Sequence, residues 1–333
     1  MLNRSLIAAL AMLASCAVAQ SGVAAEMIKL SMAHPSQALH LLPIMVAEDR
    51  GFFAAEGLEV KNTFMAGGSP AAAAMMGGSV DAASGAVTRA VLLRAKGLDV
   101  TLLVGLAGIR DWAITVDAKR HAGVGSVKAL KGLKIATSRR GSDGEQITRW
   151  IVEDAGLEVG GAGVSLIQIG GYDNHLIAIQ KGDVDGAMLP EPFVTMGVQK
   201  GVVKRVVDLL QGDGPEILRK RIWTGIMVKG EFMKQRPEAA AKLTRAVAKA
   251  IRAIYQDPQM AVDVAAKHMP SVDRKLLNEM IPRLLKVKSG KAYVTAITPE
   301  AISAENEWLS KTGELKGKIE YDSVVAKSMS KYW

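Results

Sequence analysis

Small polar side chains, glycines and flat rings recur where an apolar run ends and a helical pattern begins, a place where a chain can hold a small ligand. His34-Pro35-Ser36-Gln37 follows the alternating run Ile28–Ala33, and His40 opens the next helical stretch. Gly67-Gly68-Ser69-Pro70 comes after Leu58–Phe64, and Gly85-Ala86-Val87-Thr88 after Val80–Ser84. Glycine at such turns lets the backbone come close to a ligand. A helix starting behind the turn aims free N–H groups and the positive end of its dipole at the same point. Ser138-Arg139-Arg140-Gly141-Ser142-Asp143 repeats the arrangement after Leu133–Thr137 and adds two guanidiniums, either able to pair bidentately with an anion. Trp112, Tyr172 and Trp223 offer walls for a carbon skeleton, and Glu191, just after a strand, offers a carboxylate.

The candidate ligand contacts are therefore Ser36, Gln37, His40, Gly68, Ser69, Gly85, Thr88, Trp112, Ser138, Arg139, Ser142, Asp143, Tyr172, Glu191 and Trp223. Each also has a structural reading: a capped turn, a solvated loop arginine, a packed ring or, for Glu191, an acid stabilised at a helix N-terminus. Other chemistries find little support. The five histidines are scattered without the spacing of a metal site. The one cysteine, Cys16, excludes an intrachain disulfide, a Cys-ligated zinc and a C-x-x-C pair. There is no G-x-S-x-G elbow, no G-x-x-x-x-G-K-S/T phosphate loop and no G-x-G-x-x-G opening a helix after a strand. The expectation is a binding protein with neither catalytic residues nor a cofactor.

The chain has 333 residues, a soft prior for two domains. Its 42 Lys+Arg against 33 Asp+Glu give a net charge of +9, spread without the run of like charges that marks a nucleic-acid arm. Residues 1–25 have the pattern of an export signal, with Arg4 before the apolar stretch Leu6–Ala14. That stretch falls short of the roughly 20 apolar residues of a membrane span. Val23-Ala24-Ala25 would place the mature start at Glu26, while Leu13-Ala14-Ser15-Cys16 resembles a lipobox that would anchor the chain through Cys16. Either way the expected location is periplasmic.

The elements that must position the candidates alternate between strand and helix patterns up to Val228, after which the pattern is helical. Leu58–Phe64, Ala71–Met76 (with Ser69 as N-cap and Pro70 at N1), Val80–Ser84, Thr88–Lys96 and Val100–Leu106 form one α/β run. A second begins at Leu133 and includes the helix Asp143–Ala155 and the strand Val184–Met188. Strand-like passages near 110–117 and 222–229 join the two, so the expected fold is α/β with two lobes, each holding a mostly parallel sheet. Lobe 1 would comprise 26–112 plus 224–333, and lobe 2 would comprise 113–223. Open sheets of this kind take ligands beyond the carboxyl ends of their strands, and two facing sheets would make a cleft there.

Gly51-Phe52-Phe53-Ala54-Ala55-Glu56-Gly57-Leu58-Glu59-Val60 resembles the GFF-x-x-EGL-x-V signature of solute-binding proteins for nitrate, sulfonate and taurine transporters, whose superfamily includes thiamine-pyrimidine synthases. Gly78–Ala82, Leu130–Ala136, Gly182–Gly186, Glu191-Pro192-Phe193 and Arg236–Ala240 resemble further family segments in order. The resemblance implies a type II periplasmic-binding-protein fold and delivery of a small solute to an ABC permease and ATPase in the inner membrane, by a monomer. Free N–H groups, arginines and a basic charge suit a small organic anion: a sulfonate, a taurine-like zwitterion or a carboxylate. Glu191 keeps a pyrimidine-type solute open. The synthase relatives consume one of their own histidines and carry a cysteine-rich motif, which has no counterpart beyond Cys16.

Overall fold

The computed structural model describes residues 26–35, 37–65, 68–138, 140, 142–287 and 290–333. The export segment and Cys16 lie outside the described residues. Ten strands form two five-stranded sheets. In the first, β1 (Ile28–His34), β2 (Leu58–Phe64), β3 (Ala82–Ala86), β4 (Val100–Gly105) and β10 (Thr224–Lys229) take the order β2-β1-β3-β10-β4. In the second, β5 (Trp112–Asp117), β6 (Lys134–Thr137), β7 (Ser165–Gln168), β8 (Gly186–Pro190) and β9 (Val203–Asp208) take the order β7-β6-β8-β5-β9.

In each sheet four strands run one way and one is reversed: β10 lies antiparallel to β3 and β4, and β5 antiparallel to β8 and β9. The reversed strand is in each case the one that has just arrived from the other sheet. Its amino end therefore sits among the carboxyl ends of its neighbours, with Trp112 opposite Pro190 and Thr224 opposite Ala86.

Local sequence accounts for most element boundaries. Gly51 ends the Leu42–Asp49 helix in the left-handed conformation at φ 70°, which glycine adopts without steric cost. Ser142 caps Asp143–Asp154, and Asp257, Asp273 and Thr298 cap the C-terminal helices Pro258–His268, Arg274–Leu285 and Pro299–Lys311. The apolar stripe of Pro237–Gln256, with Leu243, Val247, Ile251 and Ile254, is buried against lobe 1. A second apolar cluster runs from Leu102 and Met227 of the first sheet through Trp112 to Ile135 of the second and Ile147 of the helix Asp143–Asp154, so the lobes share core.

Three expectations need correction. The helix after β2 begins at Gly68, so Ser69 and Pro70 lie inside its first turn and Ser69 is not its N-cap. β3 and β8 each lie two residues later than the apolar runs suggest, because both strands begin only after the Val80-Asp81 and Val184-Asp185 turns. Asp81 and Asp185 use their carboxylates to accept from the backbone N–H of Ser31 in the middle of β1 and of Lys134 at the start of β6.

The passage between β4 and β5 is held from both sides. Gly105 N–H donates to Thr295 O, Gly108 N–H to Ala292 O, and Val294 N–H to Leu106 O, while Leu106 N–H donates to Thr224 O and Trp223 N–H to Ala107 O. The chain from the C-terminal helices thus straps the crossover. Glycine is required for this approach: a Cβ at Gly105 would lie 2.7 Å from the Val294 carbonyl oxygen, and one at Gly108 would collide with the Lys291 carbonyl. Gly105→Ala and Gly108→Ala are each expected to destabilise the protein by about 1–3 kcal/mol through forced backbone displacement. Denaturant titration checks the loss, and Gly123→Ala, on an exposed turn with nothing near its Cβ position, serves as the control.

Candidate functional site

Between the lobes lies a cavity of about 460 Å³. His40, Gly68, Gly85, Thr88, Trp112, Asp143, Tyr172 and Trp223 all line it, drawn from both sheets and both crossovers. The reversed strands explain the tryptophans: each stands where its chain enters a new sheet, level with the carboxyl ends of the parallel strands. Trp112 and Trp223 meet edge to face at 5.9 Å, and His40 tilts onto Trp223 at 4.7 Å. Gly144 makes room for Trp112, since a Cβ there would lie 2.8 Å from its ring.

The other candidates are placed differently. Ser36 and Arg139 lie outside the described residues. Gln37 and Ser69 are exposed and do not line the cavity. Ser138 donates to Ser142 Oγ at 3.0 Å, and Ser142 accepts from Glu145 N–H, so these hydroxyls are spent on the helix start. Glu191 requires a correction, because it does not line the cavity. It accepts from the Thr195 N–H and hydroxyl, both at 2.9 Å, and pairs with Arg283 at 2.9 Å.

Arg283 comes from a C-terminal helix of lobe 1 and also pairs with Asp208, while Arg205 lies 3.6 Å from Glu191. Glu191 is therefore an interlobe anchor. Asp111 abuts the same edge, its carbonyl accepting from Glu191 N–H. Its buried carboxyl has an oxygen with no partner among the described residues. Desolvation, reinforced by Glu191, pushes its pKa up to about 8.

Cavity electrostatics rest on residues that sequence reasoning passed over. Arg110, nearly inaccessible, donates to Asp143 at 2.9 and 3.3 Å. Burial alone would raise the Asp143 pKa, but Arg110, with Arg221 beyond it, holds it below the usual value, so the carboxylate is ionised and compensated. His40 is pushed down to about 4 by desolvation and by His34, leaving an uncharged ring at neutral pH. Thr88 donates to Glu305 at 2.8 Å and accepts from Arg221 at 3.0 Å, so its hydroxyl is held by a buried ion pair. Glu314, at the rim, accepts from Gln146 of the other lobe at 2.8 Å.

Arg89 lines the cavity with no carboxylate or hydrogen-bond partner among the described residues. Its position carried a signal. It stands in the first turn of the Val87–Ala95 helix, where the macrodipole disfavours a cation. Glu314 carried none, being far along the chain from every other lining residue. A larger hollow of about 770 Å³ lies beside the cavity, sharing Gln146 with it, between Arg140, Arg149, Trp150 and Lys311. Its Arg149 is already paired with Glu145, and Lys311 stacks on Trp150, which leaves it less suited to a solute. Among the described residues no His/Cys/Asp/Glu group could hold a metal ion, and no helix is long and apolar enough to cross a membrane.

A family model described as NMT1/THI5 like matches residues 39–261. The chain belongs to that family. The curated relative YtlA of Bacillus subtilis (strain 168) is 22% identical over 324 residues, covering 91% of this chain and 89% of its own. Among solved structures, the periplasmic aliphatic sulphonate binding protein SsuA from Escherichia coli superposes with a TM-score of 0.73 at 13% identity, over 90% of this chain and 92% of that one. The periplasmic nitrate-binding protein NrtA from Synechocystis PCC 6803 gives 0.68 at 15% identity, over 92% and 88%. At these identities the superpositions show a shared fold. The NMT1/THI5-like chain thus has the two-lobed periplasmic-binding-protein architecture.

The interlobe edge makes stability depend on pH. Folded Asp111 keeps a proton that the unfolded chain releases above its ordinary value of 3.8. Its contribution is therefore complete below that pH and is lost as pH rises toward about 8. Asp111→Asn keeps the shape without the titration. It is expected to flatten the fall in stability between about pH 5 and about pH 8 by up to roughly 1.4 kcal/mol per pH unit. Urea midpoints at the two pH values measure the difference.

Proposed function

We propose that the chain is the exported substrate-binding component of an ABC importer and takes a small organic anion, such as a sulfonate, a taurine-like zwitterion or a carboxylate, into the interlobe cleft. One observation carries the reading: Arg89 has no acid partner in a cavity whose Asp143 is already compensated by Arg110. Trp112, on the same lining, keeps a buried N–H with no acceptor among the described residues. Leaving a cation unpaired is costly when water is excluded, and an anion beside Arg89 satisfies it.

The family and the relatives named for binding support a receptor rather than an enzyme, and an ABC permease as partner of a periplasmic monomer. In this reading the lobes, 26–112 plus 224–333 and 113–223, rotate about the strapped crossovers and close on the solute. A pyrimidine-type solute is the second reading. With Glu191 off the lining, its support is reduced to Asp143 and the rim carboxylate Glu314.

A thermal-shift screen of the purified protein against alkanesulfonates, taurine, carboxylates, aminopyrimidines and nitrate tests the assignment. A true solute at 100 times its dissociation constant adds about 2.7 kcal/mol. The expected result is a shift with organic anions that Arg89→Ala removes without lowering the unliganded melting temperature. A shift confined to neutral or cationic pyrimidines and unaffected by Arg89→Ala would overturn it.

A further inference from the structure

Resting on the anion reading, we infer that the solute is an aromatic monoanion: a benzoate- or benzenesulfonate-type ring bearing one negative group. Flat surfaces surround the cavity from every side of the joint. His40 comes from lobe 1, Trp223 from the second crossover, Trp112 from the first, and Tyr172 from lobe 2. They are braced as surfaces. Trp112 and Trp223 stand at 78° to one another, edge to face, and form a corner of the lining. His40 leans on Trp223, Arg110 lies 5.9 Å from the Trp223 ring centroid, and Phe193 supports Tyr172 at 5.6 Å. Uncharged His40 adds a fourth weakly polar face.

A flat, quadrupolar ligand complements such walls through offset-stacked and edge-to-face contacts. Each such contact is worth about 2- to 10-fold in affinity beyond the area it covers. A saturated ring or alkyl chain of equal size gains only the area. An inorganic anion would leave the aromatic corner unused.

Charge sets the number of negative groups at one. Among the described residues Arg89 is the cation left uncompensated on this lining, while Asp143 is matched by Arg110. A second anionic group on the ring would meet Asp143 or Glu314, and like charges in a water-poor cleft repel strongly. Those same oxygens accept hydrogen bonds, so a hydroxyl or amino substituent is tolerated where a second carboxylate is not.

Isothermal titration of the purified protein with matched probes tests the inference. The probes are benzoate, 4-aminobenzoate and benzenesulfonate against cyclohexanecarboxylate, hexanesulfonate, terephthalate and taurine. Aromatic monoanions are expected to bind about tenfold more tightly than cyclohexanecarboxylate and hexanesulfonate, with terephthalate weaker than benzoate. Trp223→Leu should collapse the aromatic-to-alicyclic ratio toward one while Arg89→Gln weakens all monoanions alike, with both variants folded by circular dichroism. Equal or tighter binding of the alicyclic or alkyl anions, still dependent on Arg89, would overturn the aromatic assignment and leave the anion reading standing. Binding confined to uncharged pyrimidines and indifferent to Arg89→Gln would remove the anion reading itself. Failure of every aromatic monoanion to bind by about 1 mM, where an aliphatic one binds, also overturns the inference.

Discussion

The reversal of β5 and β10 is the constraint on which the site depends. A strand that leaves one sheet at its carboxyl edge and enters another can do so without threading the structure if it runs against its new neighbours. Both crossovers follow that path, and the consequence is geometric. The first residue of each arriving strand is deposited at the ligand-facing edge of its sheet, beside the ends of the parallel strands. Trp112 occupies that position and Trp223 the one just before it, and their edge-to-face contact adds to the backbone bonds between the two crossovers. The cavity corner is therefore built where the two crossovers meet.

Holding that corner in place takes a costly device. Arg221, two residues before Trp223, is fully buried and pairs with the equally buried Glu305 through bonds of 2.9 and 3.0 Å. Burying two charges carries a desolvation penalty that Coulombic attraction only repays with good geometry and further hydrogen bonds. Thr88 supplies such a bond, and the guanidinium stacks over Trp308 at 4.2 Å. Trp308 in turn meets Trp150 of the second lobe at 4.5 Å. One network thus joins a cavity-lining hydroxyl, the crossover and the opposite lobe. On the other side Arg283 reaches Glu191 and Asp208. The C-terminal helices grip lobe 2 from two directions, so relative motion of the lobes must rearrange ion pairs and stacked rings as well as bend a strap.

These features differ in how far the sequence reveals them. Strand and helix alternation is local information: Ile28 to Phe64 reads correctly because burial periodicity, Gly51 and the edge position of β2 all act within a few residues. The two-residue displacement of β3 and β8 arises because the preceding aspartates look, in sequence, like part of the apolar run, whereas each is committed to a strand some 50 residues away. Eight candidates gather around one cavity because loops at strand ends converge by topology. Glu191 does not, and nothing near it foretells Arg283, 92 residues on. Pairings of that range depend on how helices dock, which hydrophobic patterning constrains only loosely.

The net charge of +9 turns out to say little about the cleft. Most of the basic groups named above are matched locally: Arg110 with Asp143, Arg205 and Arg283 with Glu191 and Asp208, Arg221 with Glu305. Among the described residues lining the cavity, the exception is a single cation. Arg89 stands in a helix turn whose dipole opposes it, with no acid partner among the described residues, in an arrangement that local stability alone would not favour. A binding site differs from a core in this respect. Its groups are satisfied only by what enters, so the residues worst placed for the empty protein are the ones that define the solute.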